Sequence, residues 1–295
     1  MYDFSCSDLF GGFVCGVYAG LFPTTLQFSG DGQRLSFDED DWSGKLELDF
    51  RPIDDVMVYG SINRGIKSGG FNAVVPAFYD VSVAQFDPET LTAYELGIKA
   101  SPNDWLRVNG SVFYYDYEDF QSFLVVGGFL RTINVDSEVQ GADLEVAATP
   151  GDGWLLNLGV SYLDTESKNV PLPSGVGTST FVNPISPEWT VNGLVRYEWS
   201  LPLGRIGAQV DAAYVDERTT NAVDVPVLRL DSYTRANVRL TYTSADERWN
   251  AALWVDNVTD EDVLIQRLSL VGLLGSSASI FDKPRWWGVS LGYRW

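Results

Sequence analysis

The 295-residue chain has no histidine, two cysteines, and 20 lysines and arginines against 40 aspartates and glutamates. Each shortage removes a class of chemistry. Without imidazole there is no Ser-His-Asp or Cys-His nucleophile system, and the commonest metal ligand is gone. A formal net charge of −20 opposes binding to a phosphate backbone, which needs clustered Lys and Arg, so nucleic acid is not an expected partner. Two thiols, Cys6 and Cys15, fall short of a structural zinc set and read instead as a loop disulfide in an oxidising compartment. Neither a metal nor a cofactor site is expected. No stretch supplies the roughly 18 uncharged apolar residues of a membrane-spanning helix. The best candidate, residues 264–281, is interrupted by Gln266, Arg267 and a run of serines and glycines. Residues 9–22 are apolar, but the first basic residue is Arg34, so they lack the charged lead-in of a signal peptide.

What the chain does have is aromatic residues, 10 Trp, 14 Tyr and 16 Phe, set in runs that alternate with a period of two. In the last run Trp287, Val289, Leu291, Tyr293 and Trp295 share one face, with Gly288, Ser290, Gly292 and Arg294 on the other. The same division recurs in Leu46, Leu48 and Phe50 against Lys45, Glu47 and Asp49, and in Tyr94, Leu96 and Ile98 against Glu95, Gly97 and Lys99. It returns in Trp189, Val191, Val195, Tyr197 and Trp199 against Asn192, Arg196 and Glu198. Charge avoids the apolar face because lipid penalises Arg or Lys at the midplane by about 2–4 kcal/mol. The alternation of residues 249–257 assigns no face unambiguously.

Connector lengths sort by end. Short, turn-rich links at 52–54, 101–104, 150–153, 201–204 and 244–247 alternate with long ones near 67–89, 118–130, 165–186, 217–228 and 259–284. That is the topology of an outer-membrane barrel, with tight turns on the periplasmic side and long loops outside. The expected fold is therefore an all-β, antiparallel transmembrane β-barrel wall. About eleven strands are predicted, near 42–51, 55–65, 90–100, 105–117, 131–149, 154–164, 187–200, 205–216, 229–243, 248–257 and 285–295. An odd count would close on a parallel seam. Residues 1–41, an extracellular-loop-like segment, then either hide a twelfth strand, or residues 42–295 are the C-terminal part of a larger wall; the second reading is preferred.

W-S-G-K-L-E-L-D-F-R-P at 42–52 and V-Y-G-S-I-N-R-G-I-K-S-G-G-F-N at 58–72 resemble the barrel of TonB-dependent outer-membrane receptors, as do Y-E-L-G-I-K at 94–99, D-N-V-T-D at 256–260 and the closing P-R-W-W-G-V-S-L-G-Y-R-W. The resemblance implies a 22-stranded barrel in the bacterial outer membrane, with a plug domain coupling substrate release to an energy-transducing inner-membrane complex. The mixed α/β sequence of a plug is not visible before Trp42. It also implies uptake of a scarce nutrient, foremost a ferric siderophore or similar iron complex; a porin-like passive channel and a glycan or cobalamin-like receptor are the alternatives. Candidate ligand contacts are Arg64, Lys67, Phe71, Phe78, Tyr79, Phe123 and Phe129, where cations would pair with an anion and rings would stack. Glu95, Lys99, Arg107, Glu145, Arg196, Glu198, Asp211, Arg235 and Arg239 are expected to line the lumen as cross-strand ion pairs. Trp287, Val289, Leu291, Tyr293 and Trp295 would face lipid and serve as the signal read by the barrel-assembly machinery. Catalysis is not expected: Asp116, Glu118 and Asp119 beside Tyr115 and Tyr117 sit where a strand emerges into a loop, a normal place for solvated charge.

Overall fold

The computed structural model describes residues 40–72, 84–126, 129–172, 177–223, 226–270 and 276–295, and two short upstream strands, Asp3–Ser5 and Thr25–Gln27, which pair antiparallel with each other. The predicted Cys6–Cys15 bridge lies outside the described residues. Eleven strands form one antiparallel path in chain order: β1 (Gly44–Ile53), β2 (Val56–Lys67), β3 (Glu89–Asn103), β4 (Leu106–Val126), β5 (Phe129–Ala148), β6 (Trp154–Pro171), β7 (Trp189–Leu201), β8 (Gly204–Val215), β9 (Tyr233–Ser244), β10 (Trp249–Asp256) and β11 (Trp286–Tyr293). A twelfth strand, Thr178–Phe181, pairs back onto the outer end of β6. β1 and β11 are the two ends of the path, so the wall is not closed within the described residues. Among those residues no helix is long and apolar enough to cross a membrane, and 264–281 holds a hairpin, Leu264–Leu270 with Ser276–Phe281.

Register shows why the alternation was legible. Val195, Val210, Val238, Val255 and Trp287 stand side by side in one row, and the adjacent row of the opposite face runs Arg196, Gln209, Arg239, Trp254 and Gly288. The first face is the lipid side and the second the lumen. The ambiguous strand β10 is thereby settled: Trp249, Ala251, Leu253 and Val255 look outward, while Trp254 looks inward.

Aromatic pairs mark both edges of the apolar band. Trp154 and Tyr197, 4.7 Å apart at ring centroids, and Trp249 and Tyr293, 4.8 Å apart, lie at the short-turn end; Tyr162 and Trp189, 4.9 Å apart, lie at the other. The register carries Trp154↔Tyr197 to Tyr162↔Trp189 in eight steps. At about 3.4 Å per residue that is about 27 Å along the strand, or about 21 Å of height at a tilt of about 40°, so the rings at the two rims flank an apolar band of the ~25 Å order such a wall carries.

One connector is not the predicted loop. β4 and β5 run 21 and 20 residues and close their ladder at Val126↔Phe129, so the segment expected to be a connector at 118–130 is mostly strand. The signal was Gly127-Gly128 between two alternating runs, a two-residue hairpin connection. These strands exceed the ~9–11 residues that cross a bilayer, so their outer halves stand clear of it.

Candidate functional site

The outer halves of β4, β5 and β6 turn an apolar surface inward, against the expectation of a uniformly polar lumen. Leu124, Ile133, Val135 and Val170 pack with Ala222 and Val223 of the β8–β9 connector, and Phe120 and Phe181 close the sides. The connectors fold over the mouth and bury this patch, which is why apolar residues can face the lumen there.

Amide side chains hold the connectors down. Asn72 accepts from the Thr132 N–H (2.7 Å) and donates to the Thr132 carbonyl (3.1 Å), as a neighbouring strand would. Asn134 does the same to Asp87, at 2.8 and 2.9 Å. Gln121, buried, donates to the carbonyls of Ser68 (2.9 Å) and Asp87 (3.2 Å), while its own N–H donates to the Glu89 carboxylate (2.8 Å). Asn183 is buried among hydroxyls: its backbone N–H donates to Thr165 (3.0 Å), its amide N–H to Ser137 (2.8 Å), and Ser167 donates to its amide oxygen (2.5 Å). Each bond satisfies a group that would cost about 1–3 kcal/mol if buried alone.

The candidate ligand contacts are divided by this architecture. Arg64 shares the outward face of Ile62 and Ile66; its guanidinium reaches Asp41 at 2.7 Å, donates to the Trp42 carbonyl and lies 4.7 Å from the Trp42 ring centroid. Those bonds hold the Asp41 carboxyl below its ordinary value of 3.8, the Arg64 hydrogen bond contributing most. Lys67 faces inward and meets buried Glu89 at 3.5 Å. Phe71 lies half-exposed in the two-residue strand Gly70–Phe71, paired with Gln85–Phe86. Phe123 is on β4 with its ring turned away from buried Leu124, and 56% exposed. Phe129 opens β5. Phe78 and Tyr79 lie outside the described residues. Of these, Lys67 faces the lumen at the top of β2, while Arg64 and Phe123 point outward.

All nine lumen candidates fall on the inward face, yet most do not form the expected cross-strand ion pairs. Glu198 does, reaching Arg205 at 3.5 Å beside its same-strand partner Arg196 at 3.1 Å, and Arg235 pairs with Asp282 of the β10–β11 connector. Otherwise the register sets charge opposite neutral residues: Glu95 between Ser61 and Phe113, Glu145 opposite Asn109, Asp211 between Leu194 and Asn237. Neutral donors therefore serve the carboxylates, with Tyr59 donating to Glu95, Asn109 to Glu145 (3.3 Å) and Asn237 to Asp211 (2.7 Å). Lys99 and Arg239 lie over the Tyr59 and Trp254 rings, at 5.2 and 5.7 Å. Arg107 is exposed.

Glycine makes room for these rings. A Cβ at Gly97 would sit 2.4 Å from the Tyr59 ring, and one at Gly288 would sit 2.3 Å from the Trp254 ring. The lipid face of β11 carries Trp287, Val289, Leu291 and Tyr293 as expected, with Trp295 beyond them fully exposed.

A wall of alternating faces, girdled at both rims and roofed by inward-folding connectors, agrees with the comparisons. The profile of the TonB-dependent receptor-like β-barrel matches residues 18–258. The chain belongs to that family. Among curated proteins it is similar to the pesticin receptors of Yersinia enterocolitica, 23% identical over 250 residues, and of Yersinia pestis, 22% over 253, covering 84% of this chain and 35% of theirs. Among solved structures the ferric yersiniabactin uptake receptor FyuA of Yersinia pestis superposes with a TM-score of 0.71 at 20% identity, over 85% of this chain and 37% of that one. The siderophore receptor PiuA of Acinetobacter baumannii gives 0.64 at 19%, over 84% and 35%. The chain spans about a third of the length of these relatives. As a segment of a TonB-dependent receptor barrel it belongs to the outer membrane of Gram-negative bacteria. The residues that build the receptor mouth, Asn72, Gln121, Asn134 and Asn183, were missed in the sequence. Isolated amides carry no periodicity, and only the fold brings each to its backbone partner.

Proposed function

We propose that this chain forms part of an outer-membrane receptor for energy-coupled uptake of a ferric siderophore or similar iron chelate. Membership of the TonB-dependent receptor family carries the reading, supported by the names of the relatives, which include siderophore, yersiniabactin and pesticin receptors. The inward-folded mouth supports it further. A diffusion channel is served by an open entrance, whereas the β8–β9 connector, whose Ala222 and Val223 pack on the lumenal patch of Leu124, Ile133, Val135 and Val170, makes a shaped surface able to select a solute.

In this reading Lys67 and Phe71 contact the ligand at the mouth, with Phe78 and Tyr79 of the same connector. The partners are outer-membrane lipid along the apolar face, an energy-transducing inner-membrane complex acting through a plug, and the barrel-assembly machinery reading Tyr293 and Trp295. Deletion of the gene should abolish growth on at least one defined ferric chelate as sole iron source and leave growth on excess inorganic iron unchanged. Liposome swelling by the purified protein should be slight. Free permeation of small solutes, with growth unaffected on every chelate tested, would replace this reading with a passive channel.

A further inference from the structure

We propose that the lipid face of β1 to β4 holds one molecule of the phosphorylated glycolipid of the outer leaflet, with an acyl chain in a groove over Gly60 and a phosphate at Arg64. One ladder row on this face runs Leu48, Gly60, Leu96, Val112, Ala142 and Tyr162 and so reaches the outer girdle, which places Gly60 in the outer half of the wall. Leu46, Leu48, Ile62, Leu96 and Val112 stand around the bare Gly60 backbone and leave a groove of about 580 Å³, within the range of about 300–1,000 Å³ that holds small ligands. A Cβ at Gly60 would meet only the Glu95 carbonyl and the Leu96 side chain, each at 3.9 Å, so the space there is open, unlike that at Gly97. A groove walled by hydrocarbon and facing the bilayer takes hydrocarbon, and a tail laid in it touches more of the wall than one resting on a filled strand.

The outer end of the groove is polar. Tyr94 and Tyr114 close it, their ring centroids 6.4 Å apart and their hydroxyls without a hydrogen-bond partner among the described residues. Arg64 stands four residues above Gly60 on the same face, about 14 Å along the strand. Its guanidinium commits Nη1 and Nη2 to Asp41, Trp42 and Thr90, and its Nε–H has no acceptor among the described residues. Charge then selects this end of the wall. The row through Arg64 continues as Thr92, Asp116, Glu138 and Glu166, so carboxylates repel a phosphate from β4 to β6 and leave it β2, directly above the groove. The outer leaflet of a Gram-negative outer membrane supplies that combination, saturated tails under a phosphorylated sugar.

The test is photocrosslinking of the full-length protein carrying this chain, in nanodiscs containing lipid A with a diazirine in one acyl chain, the adducts being mapped by peptide mass spectrometry. Adducts should saturate and concentrate on the peptides carrying 46–48, 60–62 and 94–96. Unlabelled lipid A should displace them about tenfold better than dioleoylphosphatidylglycerol does. Gly60→Leu fills the groove and should lower the adducts at 46–48 and 94–96 about tenfold, whereas Ala208→Leu, a similar addition to the lipid face of β8, should change nothing. Arg64→Gln should weaken lipid A severalfold and leave the phosphatidylglycerol unaffected. Adducts spread evenly over Val195, Val210 and Leu240 as well, or displaced equally by the two lipids, would overturn the proposal on the unmutated protein alone.

Discussion

Leu194 and Val195 are adjacent on β7, and the wall predicts opposite fates for the same substitution at each. Val195 looks into lipid, 49% exposed in this chain, four residues from Trp199 and six from Trp189 on the same face. An arginine there lies near the middle of the apolar band and should cost ~2–4 kcal/mol. At about 1.4 kcal/mol per factor of ten, Val195→Arg should shift the folding equilibrium by roughly thirty- to several-hundred-fold. Leu194 looks into the lumen directly opposite Asp211, whose carboxylate is served only by amides. Leu194→Arg places a cation beside that carboxylate in a wet interior, and the cost should stay within ~0.5 kcal/mol. The measurement is equilibrium unfolding by guanidinium in lipid vesicles, followed by tryptophan fluorescence. If Leu194→Arg destabilises as much as Val195→Arg, the assignment of faces is wrong.

Gly97→Ala should displace Tyr59, break its bond to Glu95 and cost about 1–3 kcal/mol, whereas Gly193→Ala, whose new Cβ meets only the Asn157 carbonyl at 3.7 Å, should cost well under ~1; urea titration separates them. Asn183→Ala removes the amide partner of Ser137 and Ser167, keeps the backbone N–H bond to Thr165, and should destabilise the outer hairpins by about 1–3 kcal/mol, read as faster amide exchange at 134–137 and 165–168. Two outer carboxyls should respond oppositely to acid. Asp41 is held below 3.8 by Arg64, so the contact it makes is present at neutral pH and is lost as pH falls through that depressed value; exchange at 41–44 should rise there, and Arg64→Gln should abolish the step. Asp119 is raised above 3.8, first by burial and then by Asp87, Asp136 and Glu118, so its charged form opposes folding and the β4 bulge between Tyr117 and Phe120 should tighten as pH falls toward that raised value.

Strand number, the membrane-crossing parts of the strands and most of their faces were legible because lipid enforces a period of two with an energy large enough to leave few exceptions, whereas the outer extensions of β4, β5 and β6 lie beyond lipid and were not. The exceptions are informative. Trp254 and Leu194 are apolar residues on the lumenal face, and Trp254 made β10 unreadable until its register with Arg239 and Gly288 was known. Arg64 reads as a ligand contact because cations near a strand top are common in receptor mouths; its partner Asp41 lies 23 residues away in the chain and becomes visible only when β1 and β2 pair.

Alternation, connector lengths and the terminal aromatic strand, all local in sequence, determined an outer-membrane wall by themselves, since each answers to solvent on one side or the other. Tertiary structure alone decided which charges pair, that the mouth is apolar beneath its connectors, and that Asn72, Asn134 and Asn183 pin those connectors in place. These depend on contacts between residues tens of positions apart, where a single hydrogen bond or packed ring leaves no periodic trace in the chain.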